Sequence, residues 1–274
     1  MSLGTVIDIG WRAAEVLEGA AVARVLAPMG ASIYMAVGGE MLWLGGPTNL
    51  MHPRAIVLSV PPDPSAFHAD SVLSLPRCEV RPWHPAALTT DTRAAAALRR
   101  GAERLAKTAI ALGEPAGFGG WLAGRPLAFP LTGAGKLADA LATACAKDDA
   151  TAAAEAAVAL LGLGAGLTPS GDDFVGGAFF VRAALAQPGT SDRASWRRAA
   201  ASVRAAASRS TNPISAALLE DLLDGHGWSP LHDLASALAS DDDSLAMSAA
   251  HRLTHLGHSS GWDLLAGFVA GAAR

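Results

Sequence analysis

Cysteine is nearly missing from this chain. Cys78 and Cys145 are the two present, without metal-ligand spacing, which excludes a disulfide framework and a cysteine-based zinc site. Aromatic residues make up only 5%, and seven of them are tryptophan. Positive charge is not in excess: 21 Lys and Arg face 25 Asp and Glu, for a net charge of −4. No electrostatic footprint for nucleic acid or an anionic membrane results. Long hydrophobic runs are also lacking. The longest clean one, Ala156 to Leu167, has twelve residues with three glycines among them, too short to span a bilayer. No basic segment, short apolar stretch and small-residue cleavage site open the sequence. A soluble protein of the reducing cytoplasm is the expectation.

What is present is apolar and rich in alanine. A hydrophobic content of 51% argues against disorder, and alanine favours close-packed helices. The length of 274 residues accommodates a large core in one or two domains. Residues 1–132 read as a β-rich region with one helix. Ile33–Val37 and Met41–Leu44 flank Gly38-Gly39-Glu40, a hairpin signal, and Arg54–Val60 is a further strand candidate. Ser71 to Val80 supplies another, broken at Pro76, and a short strand is expected around Pro126 to Leu131. Helical spacing appears over Thr92 to Leu112. Residues 133–274 read as helices at about 136–147, 151–161, 170–186, 193–208, 213–224, 230–239, 243–256 and 260–272. The expected fold class is α+β, an N-terminal β-rich region packed on a C-terminal multi-helix region.

One segment of that helical region stands apart, Leu163-Gly-Ala-Gly-Leu-Thr-Pro-Ser-Gly-Asp-Asp173. Its glycines permit positive φ and close backbone approach. Ser170 and Asp173 have capping-box spacing, and a glycine-rich loop entering a helix aims N–H groups at an anion. Gly166, Thr168, Ser170 and Gly171 are therefore candidate anion binders. Asp172 and Asp173 are candidate proton acceptors or ligands of a Mg²⁺ ion. The pattern has an echo. Ser170-Gly-Asp-Asp173 with Gly177 aligns with Ser260-Gly-Trp-Asp263 with Gly267. Two helices thus start alike, each with a Ser cap, an Asp in its first turn and a glycine one turn on. Such starts can lie side by side.

Two further segments carry chemistry. Ser208 to Ser215 offers Arg209, Thr211 and Asn212 before a helix led by Pro213; Arg can grip a carboxylate or phosphate with two prongs. His255 to Asp263 offers His258 as an acid or base, with Ser259, Ser260 and Asp263 beside it. Thr132-Gly-Ala-Gly-Lys136 lacks the Gly and the Ser or Thr of a nucleoside-triphosphate loop. Asp241-Asp242-Asp243 reads as a solvated helix approach with a cap, and the other histidines show no zinc-ligand spacing.

Leu163–Asp173, Arg209 with Thr211-Asn212 and Ile214-Ser215, and His258–Asp263 resemble the AllH-like family, long catalogued as a domain of unknown function. Gly45-Gly46-Pro47-Thr48-Asn49-Leu50 adds to the likeness, which extends over nearly the whole chain. Ala165 stands where proline is expected. The resemblance implies a subunit of oxamate carbamoyltransferase, acting in allantoin and purine catabolism with two unrelated subunits. The reaction joins oxamate and carbamoyl phosphate into oxalurate and phosphate, so the partners would be a small anionic substrate and the other subunits of a hetero-complex. The residues alone also leave open a Mg/ATP-dependent phosphotransferase and a non-catalytic anion-binding scaffold.

Overall fold

The structure is a computed structural model that describes residues 4–19, 22–30, 32–47, 50–75, 79–86, 91–186 and 192–273. Thr48, Asn49 and Cys78 lie outside these residues. The chain divides into two compact units, Met1–Ala86 and Ala87–Arg274. Residues 91–132, grouped above with the strands, thus lie in the helical unit.

The first unit runs β1 (Val6–Ile9), α1 (Trp11–Glu18), β2 (Val22–Pro28), β3 (Ser32–Val37), β4 (Glu40–Gly45), β5 (Ala55–Leu58) and β6 (Val72–Ser74). They form one mixed sheet in the order β1-β5-β4-β3-β2-β6, in which β4 and β5 are parallel and the other neighbours antiparallel. The expected hairpin is β3–β4, with Val37 opposite Glu40 across Gly38-Gly39. Alternation sends Ile33, Met35 and Val37 of β3 to one face. There they join Val25, Leu42, Leu44, Ile56 and Leu58. β5 is buried along its whole length because Ala55 and Val57, on its other face, pack with Met51, Trp43 and Trp83.

The second unit is helical: α2 (Thr92–Thr108), α3 (Gly119–Leu122), α4 (Gly135–Ala146), α5 (Ala150–Leu160), α6 (Ser170–Leu185), α7 (Arg193–Ser210), α8 (Pro213–Leu223), α9 (Ser229–Ala239), α10 (Asp243–Thr254) and α11 (Ser260–Ala272). Side-chain caps set many of the starts. Asp91, Asp149, Asp192, Asn212 and Asp242 each accept a backbone N–H from the first turn of the helix that follows. Asp242 is the cap expected of the triple-Asp run. No strand forms at 126–131, which lies in turns before α4. Pro126 and Pro130 each lack the N–H that a strand ladder needs there.

α6 occupies the centre and is buried on all sides, at every residue except Ala183. Its closest neighbour is α11, and glycine is the reason. A Cβ at Gly177 would overlap the carbonyl oxygen of Leu264, and one at Gly267 would overlap that of Phe174. The contacts are reciprocal, residue for residue, so the two helices cross backbone to backbone. Phe174 and Phe268 are fully buried beside the crossing, worth about 2–3 kcal/mol each. The obstacle to any side chain here is backbone, which cannot swing aside. Gly267→Ala should therefore cost about 3 kcal/mol or more in denaturant unfolding, whereas Gly19→Ala, with open space around it, should cost far less.

Candidate active site

The crossing places the starts of α6 and α11 side by side, as the echo between them implied. Thr168 Oγ1 lies 3.0 Å from Ser260 Oγ, and Ser170 Oγ lies 3.4 Å from Ser259 Oγ. Four hydroxyls from two helix entrances thus meet in one place. The expected Ser caps are absent. Pro169 and Ser259 occupy the cap positions without a side-chain cap bond, and Ser170 and Ser260 are the first helical residues. That shift turns the serine side chains toward the opposite helix.

Several amides at the two helix starts are already engaged. The Gly171 N–H donates to Leu163 O at 2.8 Å and the Asp172 N–H to Pro169 O at 2.9 Å. On the other helix the Gly261 N–H donates to Leu256 O at 3.0 Å and the Asp263 N–H to Ser259 O at 2.9 Å. The chain's own turns have consumed these donors. The side-chain hydroxyls stand beside them as further donors.

The adjacent aspartates have different surroundings. Asp172 is 1% exposed, and both its oxygens are engaged. Oδ1 accepts the Gly162 N–H at 2.8 Å, while Oδ2 accepts the hydroxyls of Ser215, at 2.6 Å, and Thr211. The Asn212 side chain donates to Leu167 O at 2.9 Å and caps α8 with its oxygen. Asp172, Thr211, Asn212 and Ser215 therefore brace the glycine-rich loop from the α7–α8 junction, and no oxygen of Asp172 is left for a metal. Among the described residues no group of three or more His, Cys, Asp and Glu gathers as a metal site.

Asp173 and Asp263 form the second arrangement. Asp173 is 7% exposed and Asp263 fully buried. Asp263 Oδ1 accepts the Phe118 N–H at 2.6 Å. Oδ2 of each aspartate has no hydrogen-bond partner. Burial pushes the Asp173 carboxyl well above its usual range, and the charge of Asp263 adds to this, against an opposing effect from the Ser260 hydroxyl. Burial pushes Asp263 up to about 7, opposed by the Phe118 N–H and the hydroxyls of Ser170 and Ser259. Those hydroxyls are near enough to favour the charged form without closing a bond on Oδ2. Burial thus favours the neutral form of Asp173, and Asp263 is poised to exchange a proton near neutral pH.

Other expected residues stand outside this cluster. Arg209 and His258 are exposed and make no hydrogen bond or ion pair with a described residue, and Gly166 is exposed on the loop. Phe118, which orients Asp263, went unread in the sequence; Gly117 before it, with φ of 53° and its Cα against the Asp263 carboxylate, was the one available signal. No helix among the described residues is long and apolar enough to cross a membrane.

A helical unit with hydroxyls and a carboxylate pair at two matched helix starts is the class of structure that the fold and site define. Residues 160–272 match the family model described as oxamate carbamoyltransferase subunit AllH. The match runs from the last residue of α5 to the last residue of α11, so it contains both helix starts, and the resemblance to that family is shown over this segment. No curated protein and no solved structure matches the chain.

Two outcomes test this geometry. Asp172→Asn should destabilise the protein by about 2–3 kcal/mol, since it weakens a buried acceptor that holds three donors. For Asp263 the sign runs the other way. Its carboxyl pKa rises on folding, so the penalty is absent below the unfolded value near 3.8 and complete above about 7. Stability measured by denaturant unfolding should fall across that window by a few kcal/mol at most, roughly 1.4 per unit of pKa. Asp263→Asn should flatten the fall.

Proposed function

We propose that the chain is a subunit of an oxamate carbamoyltransferase and that the paired starts of α6 and α11 handle its small substrates. The observation that carries this reading is the Asp173–Asp263 pair, two buried carboxyls whose unpartnered oxygens lie one helical turn below four clustered hydroxyls. The family match over the same helices supports it.

Transfer needs the amide nitrogen of oxamate to attack the carbamoyl carbon. The C–N bond forms, the C–O bond to phosphate breaks, and the bonding electrons leave with the phosphate. The nitrogen must shed a proton, and ionised Asp263 accepts it. Asp173, whose neutral form burial favours, supplies a proton to the departing phosphate oxygen. Two carboxyls whose surroundings push their pKa values apart suit opposite roles. Thr168, Ser170, Ser259 and Ser260 donate to the oxygens where negative charge develops. Asp172 keeps the loop in place and takes no part in proton transfer. Run backward, the same groups return carbamoyl phosphate from oxalurate and phosphate. The other subunits of a hetero-complex complete the enzyme.

The test is phosphate release from carbamoyl phosphate, with and without oxamate, in the complex assembled with its partner subunits. Asp263→Asn should lower kcat by about 10²–10⁴ with KM little changed, and Ser259→Ala with Ser260→Ala should raise KM. If Asp173→Asn and Asp263→Asn assemble and turn over like the wild type, the proton-transfer role is wrong. If the partners are fully active without this chain, the catalytic reading falls altogether.

A further inference from the structure

The far end of α6 carries a different chemistry. Along α7, Arg193, Arg197 and Arg204 follow spacings of four and seven residues, which put them on one helix face. With Arg182 from the last turn of α6 they line a cavity of about 340 Å³, walled by Trp196. That volume lies at the small end of ordinary ligand sites. At 1.5 Å per helical residue, Arg182 lies roughly 18 Å along α6 from Ser170, so this cavity is distinct from the paired helix starts.

The positive charges of the cavity are unevenly answered. Arg182 is fully buried, pairs with Asp148 and stacks on Trp196 at 4.1 Å from the ring centre. The Trp196 indole N–H donates to the same carboxylate at 2.8 Å, so the floor is fixed. Arg204 meets Asp224 at 2.6 Å and Glu220 at 3.8 Å. Arg193 and Arg197 are exposed and make no ion pair or hydrogen bond with a described residue. Asp192, beside them, spends its carboxylate on capping α7 and on the Ser195 hydroxyl. Two like charges four residues apart on a helix repel each other, and nothing described here offsets that.

We propose that this cavity binds a small phosphate-bearing anion. A phosphate group carries nearly two negative charges at neutral pH, which matches the two unanswered arginines. Guanidinium forks bind its oxygens in pairs. The site is independent of the carbamoyl-transfer reading, and its ligand is either inorganic phosphate or a phosphomonoester.

The experiment is isothermal titration calorimetry of the full chain at low salt, with inorganic phosphate and glycerol 3-phosphate as probes. At least one probe should bind saturably. Arg193→Ala combined with Arg197→Ala should weaken it at least about tenfold, while the melting temperature without phosphate stays level or rises. Arg198→Ala, an exposed neighbour outside the cavity, should leave binding unchanged, and the portion of binding that the double arginine variant removes should persist in Ser259→Ala, whatever phosphate the paired starts hold. Tighter binding of glycerol 3-phosphate assigns the site to organic phosphates, and the reverse order assigns it to inorganic phosphate. Absence of saturable binding, an equal loss in Arg198→Ala, or loss of all binding in Ser259→Ala overturns the proposal. The last result would place phosphate at the helix starts and leave the carbamoyl-transfer reading intact.

Discussion

The backbone-to-backbone crossing of α6 and α11 is the constraint on which the rest of the helical unit depends. Gly177 and Gly267 let each helix seat a carbonyl of the other where a side chain would stand. That proximity brings the two entrances within hydroxyl contact and drives Asp173 and Asp263 out of water together. Two ionised carboxylates in such a place would each face the other's charge in a medium that screens it poorly. The neutral form of each carboxyl is favoured in consequence. The unusual acid–base character of the pair is therefore a result of helix packing before it is a matter of local chemistry.

Asp172 and Asp173 show how little adjacency in sequence says about role. Successive residues on a helix point about 100° apart, which sends one carboxylate toward the α7–α8 junction and the other toward α11. The first finds a backbone N–H and two hydroxyls. The second finds an acid. The glycine-rich loop and the Thr211-Asn212 segment accordingly form one mechanical unit, in which residues chosen as ligand candidates hold the backbone in place.

Much of the helical unit was legible beforehand because apolar spacing and capping residues agree there. All eight of its later helices end within two residues of the sequence reading, and Asp149, Asp192, Asn212 and Asp242 mark four of the starts. The opening β1–α1–β2 was not legible, since β1 is four residues long with an exposed middle and α1 spans two turns. At the site, the repeated Ser-Gly-x-Asp pattern announced that two helix starts would meet. It did not announce which donors were already used. Gly171 gives its N–H to a residue eight positions back, Asp172 takes hydroxyls about forty positions on, and Phe118 reaches Asp263 across 145 positions. Those pairings belong to the tertiary structure. The arginines of α7 share a cavity with Arg182 of α6, a pairing that no spacing in the sequence announces.

The central position of α6 also bears on how the chain is made. Its cover, α11, begins ninety residues after α6 does, and a ribosome adding about 5–20 residues per second takes several seconds or more to supply it. During that interval the faces of Phe174, Ala178 and Val181 that await α11 have no permanent lid. Newborn chains thus present a sticky helix before they can bury it, and α11 is the helix whose arrival ends the exposure.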